Sequence, residues 1–307
     1  MIDYSEKHAY LIMAHNNLDQ LNILLKLLDD NRNDIYLHID ARSPISESEV
    51  TQLRHSSLHF VQRIKVYWAD YSQVDCELLL LEAAAKRGYS YYHLLSGSDL
   101  PIKNQDYIHK FFEKTDLIYL HYTTKERTDQ AISYVKYYHL FQKQLSEVNR
   151  GKHFSPWKVI NKASLLAQQM LRANRINDNY QMKKGANWFS IPHDFAKFVL
   201  DSKDLIERKF NLARSPDEFF LQTLAYNSNF QERIYRLKED DSYKSCLRLI
   251  DWTRGSPYVF RTTDFQELLQ SDMLFARKFD INIDKTIIMD ICSMLNHEMT
   301  GGADEIF

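Results

Sequence analysis

Glycine and proline are scarce in this sequence, with 7 and 6 among 307 residues. That excludes a low-complexity linker, and neither a Walker-type loop nor a Gly-x-Gly-x-x-Gly turn occurs. Cys76, Cys246 and Cys292 are widely spaced and form no Cys-x-x-Cys pair. A zinc knuckle and a redox dithiol are therefore excluded, and a reducing, intracellular compartment is expected. The 12 histidines include no His-Glu-x-x-His, and no Asp-x-Asp occurs at any position. No run approaches the roughly 20 apolar residues of a membrane helix. Met1–Lys7 has no basic stretch leading into an apolar one, so no secretory signal is read there and a cytoplasmic protein is expected.

What is present is ordinary in bulk: 44% hydrophobic and 26% charged residues, enough for one large α/β domain or two modest ones. The aromatics are in excess, with 19 Tyr and 17 Phe. Most such rings belong to cores; stacking on sugars is the other use of a surplus.

The first strand reads His8 to His15, an apolar run that ends in Asn16-Asn17. Leu21, Leu24, Leu25 and Leu28 give a helix over 18–28. Strands follow at 34–40, 60–67 and 91–95, with a helix over 74–86. This alternation predicts an α/β fold with a Rossmann-like, mainly parallel sheet flanked by helices. Ligands in such sheets sit beyond the strand carboxyl ends, where His15, Asp40 and Asp99 fall.

From 123 to 184 the chain carries 12 Lys or Arg against 4 Asp or Glu, a net +8 in a protein whose total is −2. A helical pattern surrounds 163–170. A solvated helical insertion is one reading. The other is a basic face for an anionic acceptor or an anionic membrane surface. No nucleic-acid-binding motif accompanies it. Beyond this insertion, 186–191 and 258–261 read as strands, and 194–200 and 263–270 as helices. No internal repeat occurs. The chain thus divides into a first half (1–122), the basic insertion (123–184) and a second half (185–307).

Ser215-Pro216-Asp217-Glu218 predicts a helix over 216–226, with Ser215 as N-cap, Pro216 at the first position and Glu218 closing a capping box. On pattern alone Glu218 reads first as a cap, and Asp217 is the neighbouring carboxylate. With no Asp-x-Asp to hold a cation, a departing diphosphate would need Lys and Arg for its charge. Arg254 and Lys278 are candidates, against the alternative of plain surface charge. Asp70, Asp75 and Glu77 are a weak cation site. Trp68, Trp188 and Trp252 lie at element ends, as sugar platforms or as half-buried packing.

Six ordered segments resemble one family, the core-2/I-branching β-1,6-N-acetylglucosaminyltransferases and peptide O-xylosyltransferases (glycosyltransferase family 14). They are 10–15, 37–43, 94–103, 185–189, 215–218 and 274–280, covering most of the chain outside the basic insertion. The resemblance implies a GT-A fold, an inverting sugar transfer from a UDP-sugar, and no metal or other cofactor. It makes Glu218 the catalytic base and Arg254 and Lys278 the diphosphate ligands. It suggests Ala14, His15, Asn16, Asp40, Trp68 and Asp99 for the nucleotide and donor sugar, and it leaves Trp188, Asp217 and Trp252 for the acceptor. GlcNAc is the first donor sugar and xylose the second. The animal enzymes have a membrane anchor, a stem and disulfides with no counterpart here, which implies a bacterial member acting on a surface polysaccharide, peripheral at the inner membrane face. Two rivals are a binding module that has lost catalysis and a glycoside hydrolase. The hydrolase requires a second paired carboxylate, and none recommends itself.

Overall fold

The computed structural model describes residues 6–148, 155–176, 180–237 and 242–300. Met1–Ser5, Arg150, Lys152 and Asp178, used in the sequence reading, lie outside them. Among the described residues nine strands make two sheets. β1 (His8–Ala14), β2 (Asn33–Ile39), β3 (Ser57–Phe60), β4 (Tyr91–Ser96), β6 (Tyr119–Leu120) and β7 (Phe189–Pro192) form the larger, in the order β3-β2-β1-β4-β7-β6. β1 to β4 run parallel, and β7 pairs antiparallel with both β4 and β6. β5 (Leu100–Pro101), β8 (Arg248–Ile250) and β9 (Phe275–Arg277) form the smaller sheet.

Alternation along β1 shows why the larger sheet is covered twice. Ala9 and Leu11 enter one core with Val74, Leu81, Val199 and Leu224. These come from helices α2 (Ser72–Ala85), α8 (His193–Asp201) and α10 (Phe220–Tyr226). Tyr10, Ile12 and Ala14 enter the opposite core with Leu21, Leu25, Ile108 and Ile291. Those come from α1 (Leu18–Leu27), α3 (Gln105–Phe112) and α12 (Lys285–Thr300). The smaller sheet is stitched on by Arg248, which is buried and donates to Ser190 Oγ at 2.9 Å, Phe189 O at 2.7 Å and Leu94 O at 3.1 Å. Carbonyls and a hydroxyl thus occupy both terminal nitrogens without a carboxylate, while the buried Nε has no hydrogen-bond partner among the described residues.

Between β6 and β7 the described residues of 123–184 hold only helices: α4 (Lys125–Ala131), α5 (Ser133–Lys136), α6 (Gln142–Val148) and α7 (Pro156–Met170). No described helix is long and apolar enough to cross a membrane.

Three local expectations are corrected. The third strand occupies 57–60, ahead of the expected 60–67, because Val61 N–H makes the last ladder bond, to Leu37 O. The 258–261 segment is extended but outside the sheets; it bonds to Lys278 and Asp251 while β8 takes the place beside β9. The expected helix over 216–226 is a 3₁₀ turn (Pro216–Glu218) followed by α10. Ser215 is left-handed (φ 47°, ψ 50°), so its hydroxyl makes no cap bond and the capping box does not form. An N-cap needs extended backbone, which this residue does not have.

Candidate active site

Two clefts open beyond the carboxyl ends of the parallel strands. The first, about 350 Å³, is lined by Ala14, His15, Asp40, Arg42, Trp68 and Gln73 among others. Asp40 directly follows β2 and is buried, which by itself would raise its carboxyl; hydrogen bonds from Arg42 and from Val66 N–H outweigh that and lower it to about 2. A carboxylate paired on one side with Arg42 is thus fixed in the cleft floor. Trp68 stands 57% exposed at the rim, its N–H held by Ser146 Oγ of α6 at 2.9 Å. Asn16 is exposed just beyond His15 and is not part of the lining.

The second cleft, about 110 Å³, contains Glu218, Lys184, Arg127, Asn187, Trp188 and Trp252. Glu218 meets Lys184 Nζ at 2.6 Å. Its backbone is held as well, because Gly185 N–H donates to Glu218 O at 2.8 Å. Gly185 can sit there only without a side chain: a Cβ would lie 1.7 Å from His121 O. The two clefts meet at the turn preceding α10. Gln73 lines the first and donates to Asp217 Oδ2, next to Glu218 in the second.

Asp217 itself is buried, lines neither cleft and accepts from Gln73 of α2. Burial first, and the adjacent Glu218 second, push its carboxyl up to about 8. Glu77, also on α2, is held well above the usual range by burial and by Asp217. The carboxylate of this turn that has a cationic partner is therefore Glu218, with Lys184 as its counterion.

The remaining expected residues fall into a third group. Asp99 is buried, accepts from Ser96 N–H at 2.7 Å and pairs with Arg277 at 3.2 Å, so it lines neither cleft. Arg277 in turn lies 4.0 Å over the Trp188 ring, which leaves Trp188 half-buried between the guanidinium and the second cleft. Trp252 is 50% exposed at that cleft's edge. Lys278 follows Arg277; the next N–H, of Phe279, donates to Ser98 O at 2.9 Å, which brings Lys278 toward the β4 end. Among the described residues the Lys278 ammonium has no ion-pair partner. Arg254 is the opposite case. Its guanidinium donates to Asp251, to Asp264 at 2.7 Å and to Glu267 at 2.8 Å, and it lines neither cleft.

Sequence reasoning missed Lys184, Gln73 and Arg277. Only Arg277 carried a signal, its place beside Lys278 in the 274–280 motif. Asp70, Asp75 and Glu77 do not converge, and no cluster of metal-ligating side chains occurs among the described residues.

The profile described as Core-2/I-Branching enzyme matches residues 8–273. A beta-1,3-galactosyl-O-glycosyl-glycoprotein beta-1,6-N-acetylglucosaminyltransferase of Bos taurus is 23% identical, covering 94% of this chain and 70% of the relative. A Danio rerio relative described by the same words with the suffix 4 is 22% identical over 91% of this chain and 67% of its own length. Xylosyltransferase 2 of Canis lupus familiaris is 22% identical over 91% of this chain, which spans only 32% of that protein. The match over most of the sequence makes this chain a member of the Core-2/I-Branching enzyme family of glycosyltransferases.

Proposed function

We propose that the protein transfers a sugar, GlcNAc before xylose, from a UDP-sugar to a glycan hydroxyl with inversion, and that Glu218 is the base. The observation that carries this is the Glu218 carboxylate, released from any capping role and facing a cleft that adjoins a second, nucleotide-sized one. The acceptor hydroxyl enters between Trp188 and Trp252 and gives its proton to Glu218. Its oxygen attacks the anomeric carbon as the bond to UDP breaks, through an oxocarbenium-like transition state that yields a β-linkage. Lys184 pairs with the carboxylate and orients it in the resting enzyme.

The first cleft takes the uridine, with Asp40, His15 and the Asn16 backbone at the strand ends and Trp68 over the sugar. Asp99 acts through Arg277, whose charge it fixes beside Trp188. Lys278 meets the diphosphate, and Arg254 joins it by exchanging the exposed Glu267 for phosphate oxygens. Fixed cations at the leaving group make a bound metal unnecessary. The acceptor is a growing surface glycan, met on the cytoplasmic side by the basic segment 123–184. Free cysteines at 76, 246 and 292 fit a reducing compartment.

A panel of UDP-sugars tests the reading, with binding and slow hydrolysis measured in EDTA without acceptor. UDP-GlcNAc should bind and hydrolyse slowly. Strict dependence on Mn²⁺ contradicts the metal-free mechanism, and binding without any hydrolysis or transfer favours a binding module.

A further inference from the structure

The face that α7 turns to solvent has the wrong chemistry for water. Val159, Ala163, Leu166 and Met170 recur at i, i+4, i+7 and i+11, with Ile160 and Ala167 beside them, and all are exposed. Met170 is 84% exposed and the following Leu171 82%. The opposite face is the one that meets the protein. Trp157 packs on Phe141 at 5.6 Å, and Gln168 bonds both the N–H and the C=O of Tyr138. The helix is therefore docked through Trp157 and the polar Gln168, while among the described residues its apolar stripe is left exposed to solvent.

Charge decides between the occupants such a face could take. Residues 155–176 contain Lys158, Lys162, Arg172 and Arg175 and no Asp or Glu. Arg175 turns inward to Asn211 O at 2.6 Å, whereas Lys158, Lys162 and Arg172 are exposed around the apolar stripe. An apolar stripe rimmed by cations matches the acyl and phosphate layers of an anionic bilayer. A symmetric contact with a second copy would bring two such sets of cations together.

We propose that this outer face of α7 docks on an anionic membrane surface and so presents the active site to an acceptor carried on a lipid. The reach follows from contacts already described. α7 rests on Phe141, α6 begins at the next residue, and Ser146 of α6 holds the Trp68 backbone at the mouth of the first cleft. The docking helix and the cleft rim are thus two adjoining parts of one helical unit. The assignment rests on the transferase reading and adds the acceptor's class, a saccharide linked to a membrane lipid.

The test is sedimentation of the full chain with vesicles of phosphatidylcholine alone or of equal parts phosphatidylcholine and phosphatidylglycerol. Wild type should sediment with the mixed vesicles, remain free of the neutral ones, and be released by raised salt. Leu166→Glu/Met170→Glu, two exposed positions that line neither cleft, should lower the bound fraction at least ~tenfold and leave hydrolysis of UDP-sugar in vesicle-free buffer at the wild-type rate. Equal binding by the double variant, or no binding by wild type, overturns the proposal. So does a wild-type dimer that the double variant converts to monomer, which assigns the face to a second copy. Normal hydrolysis with no vesicle binding sinks the docking surface alone. Salt-sensitive vesicle binding with no turnover of any UDP-sugar leaves the docking surface standing and sinks the transferase reading together with the acceptor class.

Discussion

Gly185→Ala is a one-methyl change in the wall of the second cleft, and its consequence can be worked through. A Cβ at 185 would lie 1.7 Å from His121 O and 2.7 Å from His121 C, both backbone atoms that no rotamer change can move. Contacts under 3.0 Å are essentially never seen for a real Cβ, so the chain at 184–186 or at 121 must retreat by more than an ångström. Overpacking of this kind costs about 1–3 kcal/mol. For a chain of this size that lowers Tm by roughly 2–4 °C per kcal/mol. The larger effect is on turnover, because the same residue holds Glu218 O through its N–H and follows Lys184, the counterion of Glu218. A displacement of about 1 Å at a catalytic group costs on the order of 10²-fold. Differential scanning fluorimetry and steady-state transfer assays on the purified variant read both. A variant with wild-type Tm and wild-type kcat refutes the claim that this close approach positions the base.

Lys184→Ala removes the Glu218 counterion. A half-exposed pair contributes about 1 kcal/mol, so kcat should fall by about fivefold, with Lys184→Arg retaining more activity than Lys184→Ala; equal losses would reduce Lys184 to a packing role. The pH dependence of stability has two opposed parts. Burial holds the buried His8 and His93 well below 6.5 and lowers His109 to about 4. The unfolded chain therefore takes up more protons than the folded one between pH 6.5 and about 4, and stability present above 6.5 is lost as pH falls, by up to about 1.4 kcal/mol per pH unit for each histidine. Asp217 and Glu77, whose carboxyls are raised, act in the other direction and destabilise the fold as pH rises toward 8. Thermal melts from pH 5 to 8 should show a maximum between these limits, and His109→Gln should flatten the acid limb; an unchanged acid limb contradicts the buried-histidine account.

The parts of the fold legible in the sequence are those whose pattern is local. β1 and β4 are largely apolar runs buried on both faces, β2 is a short mixed run buried throughout, and the leucine spacing of α1 marks its inward side. Ile287, Ile288, Ile291 and Leu295 carry an equally clear helical spacing in α12, a helix that the sequence reading nonetheless passed over. β8 is hidden because it is three residues long and begins with Arg248, a polar side chain buried only because four acceptors from other elements surround it. The Ser-x-x-Glu pattern misleads for a related reason. It presumes extended backbone at the serine, whereas Ser215 N–H is drawn to Ala69 O at 2.9 Å and the residue becomes left-handed. The site shows the same division. His15, Asp40 and Glu218 announce themselves by strand ends or by motif. Lys184 and Gln73 join them through contacts with partners 34 and 144 residues away, spacings that carry no periodic signal. Arg254, singled out by resemblance, proves to be held by three carboxylates that the sequence scatters over 251–267.

The central claim is that Glu218 takes the acceptor proton. Glu218→Gln keeps the side chain's length and shape and removes its basicity. Turnover by this variant should fall by ~10²–10⁴-fold while UDP binding, followed by calorimetry, stays at the wild-type level. A Glu218→Gln enzyme that transfers sugar at a near wild-type rate would contradict the account.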